Sequence, residues 1–567
     1  YVTVRYPTIA YQLGVLGWDK IAFGALAILL VLEATRRLVG WVMVGLAGVF
    51  VLYAKFAYLL PGLLGAKGSS WERIVVYLYL DTNGLFGLPL TVTAGMVVAF
   101  IFFGQLLYAV GGDRFLTDLA MMAMGRYRGG PAKVSVVASC LFGTVSGSAV
   151  SNVVVDGPIT IPMMKRTGYA PHVAAAIEAV ASTGGQIMPP VMGVAAFLIA
   201  EFLSVPYSEV VIAAVIPALL YYLALFVQVD LEAAKHRLHG LPAAQLPRFG
   251  DVIRRGWSFL VPLVVLTYTL MLASWEAGKA GMAAVIATLV VGALQRGDRL
   301  TLWKLLGAIA ETGKVLLDIV AITAVAGFVI GVLQLSGLGF KFSLLLVSVA
   351  GGNALGLLLL TAVVCIILGM GMPTAIIYIL LAVLVGPALV QLGVSPLGAH
   401  LFLFYFGMLS MITPPVCLAT YAAASIGGAD FMKTGWTGMR LGIVAYVVPF
   451  VFAFHPALLM KGSIIEILVA AATAVVGVIL LGIGCAGHLF RPLGWGKRAL
   501  VSVAGLLLIP APTSGAWLAA NVLGLTLGVL LVVWERVGSR EAEDQRSNAV
   551  PMARHPRSEP VSRHPLP

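Results

Sequence analysis

Apolar runs of about 17 to 25 residues, separated by short polar links, recur between Gly17 and Trp534, and runs of that length match the hydrocarbon core of a bilayer. A backbone in lipid must satisfy its own N–H and C=O groups, so the runs read as helices; barrel strands would alternate over about 10 residues. The expected fold class is therefore an all-α, polytopic transmembrane bundle. With 60% hydrophobic and only 11% charged residues, the chain has little from which to build a soluble domain. The net charge of +12 comes from Lys and Arg gathered in the links, such as Arg126 to Lys133 and Lys235 to Arg255. Such clusters mark cytoplasmic loops and not a nucleic-acid surface.

Several function classes fall away. The sequence contains no GxxxxGK[ST] and no HExxH, and no polar stretch is long enough to house an ATPase, so a transport activity would draw on an ion gradient. The four cysteines lie in or beside apolar runs without CxxC spacing and read as packing residues. His172, His400 and His455 stand alone, without the neighbours a metal site needs. The chain opens at Tyr1 without a signal-peptide pattern, as expected of a shortened N-terminus.

Shifting the sequence by 225 positions lays Pro162 on Pro387, Gly168 on Gly393, Pro171 on Pro396 and Pro189-Pro190-Val191 on Pro414-Pro415-Val416. A shift of 227 lays GQLLYAVGGDRF (104–115) on GVLQLSGLGFKF (331–342). Repetition at a fixed offset is the mark of a duplicated unit. The expected division is 1–62 as a two-helix leading segment, 70–230 as a first repeat, 231–256 as a cytoplasmic link, 257–297 as connecting helices, 298–456 as a second repeat, 461–536 as extra helices and 537–567 as a disordered tail. The segment 296–314, with Leu302, Leu305, Leu306 and Ile309 on one stripe, reads as an amphipathic helix at the membrane surface.

Val134–Met164 has positive charge beyond both ends, at Arg126, Arg128 and Lys133 and at Lys165 and Arg166, which suits a re-entrant hairpin with cytoplasmic ends. Its counterpart, Leu357–Val390, lies in a region free of Lys and Arg from Phe342 to Met432, so its ends read as external. Two hairpins entering from opposite faces make an inverted repeat. Arg114 and Lys341 resist this reading, because they correspond in position and would lie on opposite sides.

Each hairpin carries an irregular, polar centre: GTVSGSAVSN (143–152) in the first, GMGMPTA (369–375) in the second. Each is followed by a helix that must break, at STGGQIMPP (182–190) and MLSMITPP (408–415), because consecutive prolines remove donors and free the carbonyls upstream. Converging carbonyls and hydroxyls suit an alkali cation, and free N–H groups at a half-helix start suit an anion. Small residues and proline kinks also occur in membranes without ligands, but two tips and two Pro-Pro breaks at nearly one offset favour a site. Asp156 and Glu178 are buried acids with two open readings, a proton carrier or counter-charge, or, for Asp156, a helix N-cap beside Gly157-Pro158.

These same stretches resemble the large membrane subunit of tripartite ATP-independent periplasmic (TRAP) transporters, and most nearly the fused permeases that work with TAXI-type binding proteins. The resemblance covers about residues 70–460. Asp19–Trp41 also resembles part of the small membrane subunit, which normally has four helices; only two are found here. The resemblance implies an elevator-type symporter of the inner membrane, multi-pass and not an enzyme. A soluble extracytoplasmic protein would deliver an organic anion and sodium would drive it inward, with no other cofactor. Carried over by position, Gly143, Ser146, Gly147, Ser148 and Asn152 with Gly184, Gly185 and Pro189 would form one cation site, and Gly369, Gly371 and Thr374 with Ser410, Thr413 and Pro414 the second. Ser148, Ser151, Asn152, Thr183, Pro190 and Thr374 would face the carboxylate. A stand-alone sodium- or proton-coupled dicarboxylate carrier is the alternative reading, and a polytopic membrane enzyme or scaffold a remote one.

Overall fold

The computed structural model describes residues 1–9, 11, 15–295 and 299–549. Among these residues the regular structure is helical, apart from a single isolated bridge between His488 and Pro492. Among the described residues seven helices are long and apolar enough to cross a bilayer, or up to ten if each bent pair counts as one span. The helices follow from the lipid's demand that every backbone group be paired internally.

The longest helix in the membrane part, Leu302–Ser336, is 35 residues long and packs against the helices Trp18–Leu38, Trp41–Phe56, Trp71–Leu80 and Leu88–Ala109. Close approach is possible because Gly327 and Gly331 have no side chains. A Cβ at Gly327 would lie 2.2 Å from the Gly84 carbonyl oxygen. Thr93 donates to Thr323 across the same interface at 3.3 Å, and Thr35 to the Ala321 carbonyl at 3.4 Å. The stripe expected to form a separate surface helix is the first part of this long helix. With a capping Thr301, whose hydroxyl accepts from Lys304 N, and no proline after it, nothing stops the helix from running on. Residues 296–298 of that link lie outside the described residues.

Beside this scaffold stands a second group of helices whose boundaries recur at the 225-residue offset. Ala149–Arg166 corresponds to Thr374–Leu384 plus Gly386–Gln391, Pro171–Gly184 to Pro396–Leu409, and Val194–Phe202 to Leu418–Gly427 within one residue. The first hairpin has limbs of 17 residues (Gly130–Ser146) and 18 residues (Ala149–Arg166), joined at Gly147. Each limb rises about 26 Å at ~1.5 Å per residue. Gly147 turns the chain in the left-handed region, φ 59°, and the Ser148 hydroxyl accepts from Ser151 N to start the second limb.

Three further helices, Ile464–Ala486, Trp495–Leu508 and Gly515–Ala549, follow the repeats. The first packs along Tyr207–His236, and Glu535 of the last is buried between Arg491 and Lys497, each at 2.5 Å. Helix extends past Arg536, where a disordered tail was expected, as far as Ala549. The polar run there is rich in Glu, Ala, Gln and Arg, which are good helix formers, and the first proline comes only at Pro551. Residues 550–567 of the expected tail lie outside the described residues.

The root of the first hairpin is held by charge. Lys133, almost fully buried, donates to Asp230 at 2.6 Å, and Arg128 pairs with the other oxygen of the same carboxylate. Removing one partner of a buried pair leaves the other charge uncompensated. Asp230→Asn is expected to lower stability by about 2 kcal/mol in a thermal melt, and Lys133→Met combined with Asp230→Leu to recover most of the loss.

Candidate functional site

Both hairpin tips lie against the broken helix that follows them. In the first repeat, Pro171–Gly184 ends at Gly184, continues as one tight turn over Gly185–Ile187, and breaks at the cis peptide between Pro189 and Pro190. Gly143 of the hairpin touches this break backbone to backbone; a Cβ there would lie 2.3 Å from the Gly185 Cα. Gly147 is as tight, with a hypothetical Cβ 1.8 Å from the Met192 carbonyl oxygen. Asn152 closes the tip: its Nδ2 donates to the Ser139 carbonyl at 3.1 Å, while its buried Oδ1 meets no donor of the protein.

The second repeat repeats the contact with other residues. Gly369 presses on the second break, where a Cβ would lie 2.2 Å from the Ser410 Cβ, and Gly371 turns in the left-handed region at φ 84°. Pro373 precedes Thr374, the first residue of the returning half-helix, whose hydroxyl is buried without a partner. Ser410 donates to the Gly407 carbonyl at 2.7 Å, and Thr413 shares a 2.6 Å hydrogen bond with the Tyr446 hydroxyl. Pro414-Pro415 is also cis, and Pro414 packs on Gly435.

A cleft of about 60 Å³ opens between the first tip and the scaffold, lined by Ser146, Ser148 and Ser151 on one side and by Gln105, Tyr108 and Val315 on the other. That is room for about two waters. An organic anion could enter only if tip and scaffold part. Gln105 and Tyr108 were not singled out from sequence. The available signal was their polarity within the otherwise apolar helix Leu88–Ala109.

The sequence-derived positions separate into groups. Gly143, Gly147, Asn152 and Gly185 meet at the first contact, and Ser146, Ser148 and Ser151 face the cleft. Gly184 points elsewhere, with Tyr221 and Tyr222 against its Cα, and Pro189 lies in the break itself. Thr183 is buried and donates back to the Ala179 carbonyl at 2.7 Å, so it does not face the cleft. The Tyr207 hydroxyl covers the Pro190 carbonyl, at 3.1 Å, while lying closer to the Val191 carbonyl, because the aromatic stack of Phe197 and Tyr207 puts that hydroxyl beneath the break.

Asp156 is no N-cap. The helix starts eight residues earlier, at Ser148, and runs through Pro158 and Pro162 to Arg166, so Asp156 is interior. Both its carboxyl oxygens are buried without a donor. Glu178, fully buried, accepts from Ser135 at 2.8 Å, Ser182 at 3.0 Å, Ser139 at 3.4 Å and Thr160 at 2.5 Å.

A helical membrane bundle with paired, oxygen-rich breaks in its interior defines a membrane transporter, and the fold is similar to that of the YdaH transporter of Alcanivorax borkumensis. The two share a TM-score of 0.50 at 16% identity, over 72% of this chain and 97% of that one. Residues 26–467 match the model of the tripartite ATP-independent periplasmic transporter DctM component, and the chain belongs to that family. It is 28% identical to the C4-dicarboxylate TRAP transporter large permease DctM of Pseudomonas aeruginosa over 63% of this chain and 83% of the relative. It is 26% identical to the same-named protein of Vibrio cholerae over 65% and 87%, and 23% identical to the sialic acid TRAP permease SiaT of Haemophilus influenzae over 72% and 64%. The protein is thus a multi-pass inner-membrane permease of a secondary transporter and not an enzyme.

The tip contacts leave no room for a methyl group. Gly143→Ala or Gly185→Ala is expected to cost about 1–3 kcal/mol of stability, as overpacking does. Gly45→Ala, where the Cβ meets open space, is the control and should leave the melting temperature unchanged or raise it.

Proposed function

We propose that this chain imports an organic carboxylate handed over by an extracytoplasmic TAXI-type binding protein and driven by a sodium gradient. The observation that carries the reading is that the contact between a hairpin tip and a Pro-Pro break occurs twice, with unpaired oxygens at both places: Asn152 Oδ1 at the first and the Thr374 hydroxyl at the second. Sodium is favoured because the groups gathered there are neutral oxygen donors, which suit a hard cation.

The carboxylate would bind between tip and scaffold, where Ser146, Ser148 and Ser151 meet Gln105 and Tyr108. Movement of the two hairpins and their broken helices as a body past the long helix Leu302–Ser336 would then alternate access. The charge pattern supports opposite entry of the two hairpins, since both limbs of the first end among Arg and Lys and both limbs of the second among neutral residues. Lys341, the residue that resists this pattern, is held by a hydrogen bond to the Gly65 carbonyl. Carboxylate is favoured as substrate class by the relatives named for C4-dicarboxylate and sialic acid.

Proteoliposomes holding the purified chain, candidate binding proteins and labelled organic acids test the reading. Uptake should need both an inward sodium gradient and one cognate binding protein, and Asn152→Ala should reduce it at least tenfold. Uptake without any binding protein would replace this reading with a stand-alone carrier. Equal uptake in sodium-free buffer under a proton gradient would remove sodium as the coupling ion.

A further inference from the structure

The two repeats match in backbone but not in one cluster of side chains. Ser135, Ser139, Thr160 and Ser182 surround the Glu178 carboxylate within the first repeat, and Asp156 is buried beside them: the Thr160 hydroxyl also reaches its backbone carbonyl at 3.1 Å, and a Cβ on the adjacent Gly157 would lie 3.7 Å from Glu178 Cγ. At the 225-residue offset Asp156, Glu178, Thr160 and Ser182 have Leu381, Leu403, Val385 and Gly407 as counterparts, and in the first limb, where Gly369 answers Gly143, buried Ser135 and Ser139 correspond to buried Thr361 and Cys365. The same helices therefore pack in the second repeat with leucine in place of both acids, and the fold does not require them.

The surroundings of the acids carry no compensating charge. Asp156 is buried, and the charged groups that act on it, Glu178 and Asp113, are both acids. The first limb supplies Ser135 and Ser139, Pro171–Gly184 supplies Glu178 and Ser182, and Leu88–Ala109 supplies Tyr108, a neutral phenol that Asp156 acts on. From Tyr207–His236 comes Tyr222, whose hydroxyl is spent on the Ala181 carbonyl at 2.9 Å. Leu418–Gly427 places Ile426 beside Gly157. Among the described residues, no Lys, Arg or His pairs with either acid. Of the cations on the helices packed around the acids, Lys133 pairs with Asp230, Lys165 with the Gly427 carbonyl and Arg440 with Glu232, and Arg166 and Lys433 are exposed.

Two ionised carboxylates side by side without a counter-ion repel each other and each loses hydration, so the arrangement favours one proton on the pair. The hydrogen bonds divide their roles. Four hydroxyls surround Glu178 and stabilise a charge there, whereas no donor reaches Asp156, which a neutral carboxyl tolerates better than an anion does. We propose that Asp156 and Glu178 form a proton-binding pair in the first repeat, holding one exchangeable proton on Asp156, separate from the oxygen-lined tips. The pair rests on the transport reading only for its consequence, that a proton travels with or against the cargo. Asp156 lies one helical turn beyond Asn152, so a change of charge there would act on the limb that carries the tip.

Infrared difference spectroscopy of the full chain in lipid, titrated with pH in the absence of substrate, tests this independently of transport. The wild type should show a pH-dependent C=O band of a protonated carboxyl. The band should be lost in Asp156→Asn and shifted in Ser182→Ala, which removes one donor from Glu178. Asp156→Leu copies the second repeat's Leu381 and provides the same loss should the Asn variant fold poorly. A wild type without such a band overturns the proposal, as does a band that survives in both Asp156 variants. Sodium added at fixed pH should leave the band in place. If sodium abolishes it, the pair is a metal-cation site and the proton assignment fails.

Discussion

The contact of bare backbone on bare backbone between Gly143 and Gly185, answered in the second repeat by Gly369 against the short Ser410 side chain, is the constraint on which the rest depends. A helix in lipid cannot leave carbonyls and N–H groups unpaired unless protein covers them. Each broken helix has such groups at its Pro-Pro step, and each hairpin tip supplies the cover. Side chains between them would open a gap that lipid or water would fill. Glycine and serine at these few positions therefore determine where irregular backbone can exist in the bundle, and irregular backbone determines where polar cargo can be held.

Around that constraint the two repeats diverge in chemistry. The first tip is locked by an amide, Asn152, bonded across the hairpin to Ser139, whereas the second places a threonine hydroxyl at the start of its returning helix. The first repeat buries two acids where the second buries leucine. Duplication thus preserves backbone breaks while side-chain chemistry at equivalent sites drifts apart, and a two-fold architecture does not imply two equivalent functions.

Much of this could be read from residue order. The Pro-Pro pairs, the glycine-rich centres and their common offset led to both hairpins and both breaks, because prolines and glycines act on the backbone locally. Orientation of single side chains was less legible. Thr183 turns back onto its own helix and Pro190 is covered by Tyr207, choices made by three-dimensional neighbours. Asp156 followed by Gly157-Pro158 suggested a helix start, but the true start at Ser148 depends on the turn at Gly147, and later prolines are accommodated within the limb. Gln105 and Tyr108 escaped notice because a lone polar residue in an apolar helix has no periodic partner to announce it.

The 35-residue helix Leu302–Ser336 measures about 50 Å at ~1.5 Å per residue, well beyond a hydrocarbon core of about 30 Å. Its charged residues, Lys304, Glu311, Lys314 and Asp318, all lie in the first half, so the excess length belongs to a polar end and not to the apolar part. That end is continuous with the part clasped by four other helices and pressed through Gly327 onto the Gly84 backbone. A push on the polar end is therefore felt by the whole scaffold, with no hinge between to absorb it.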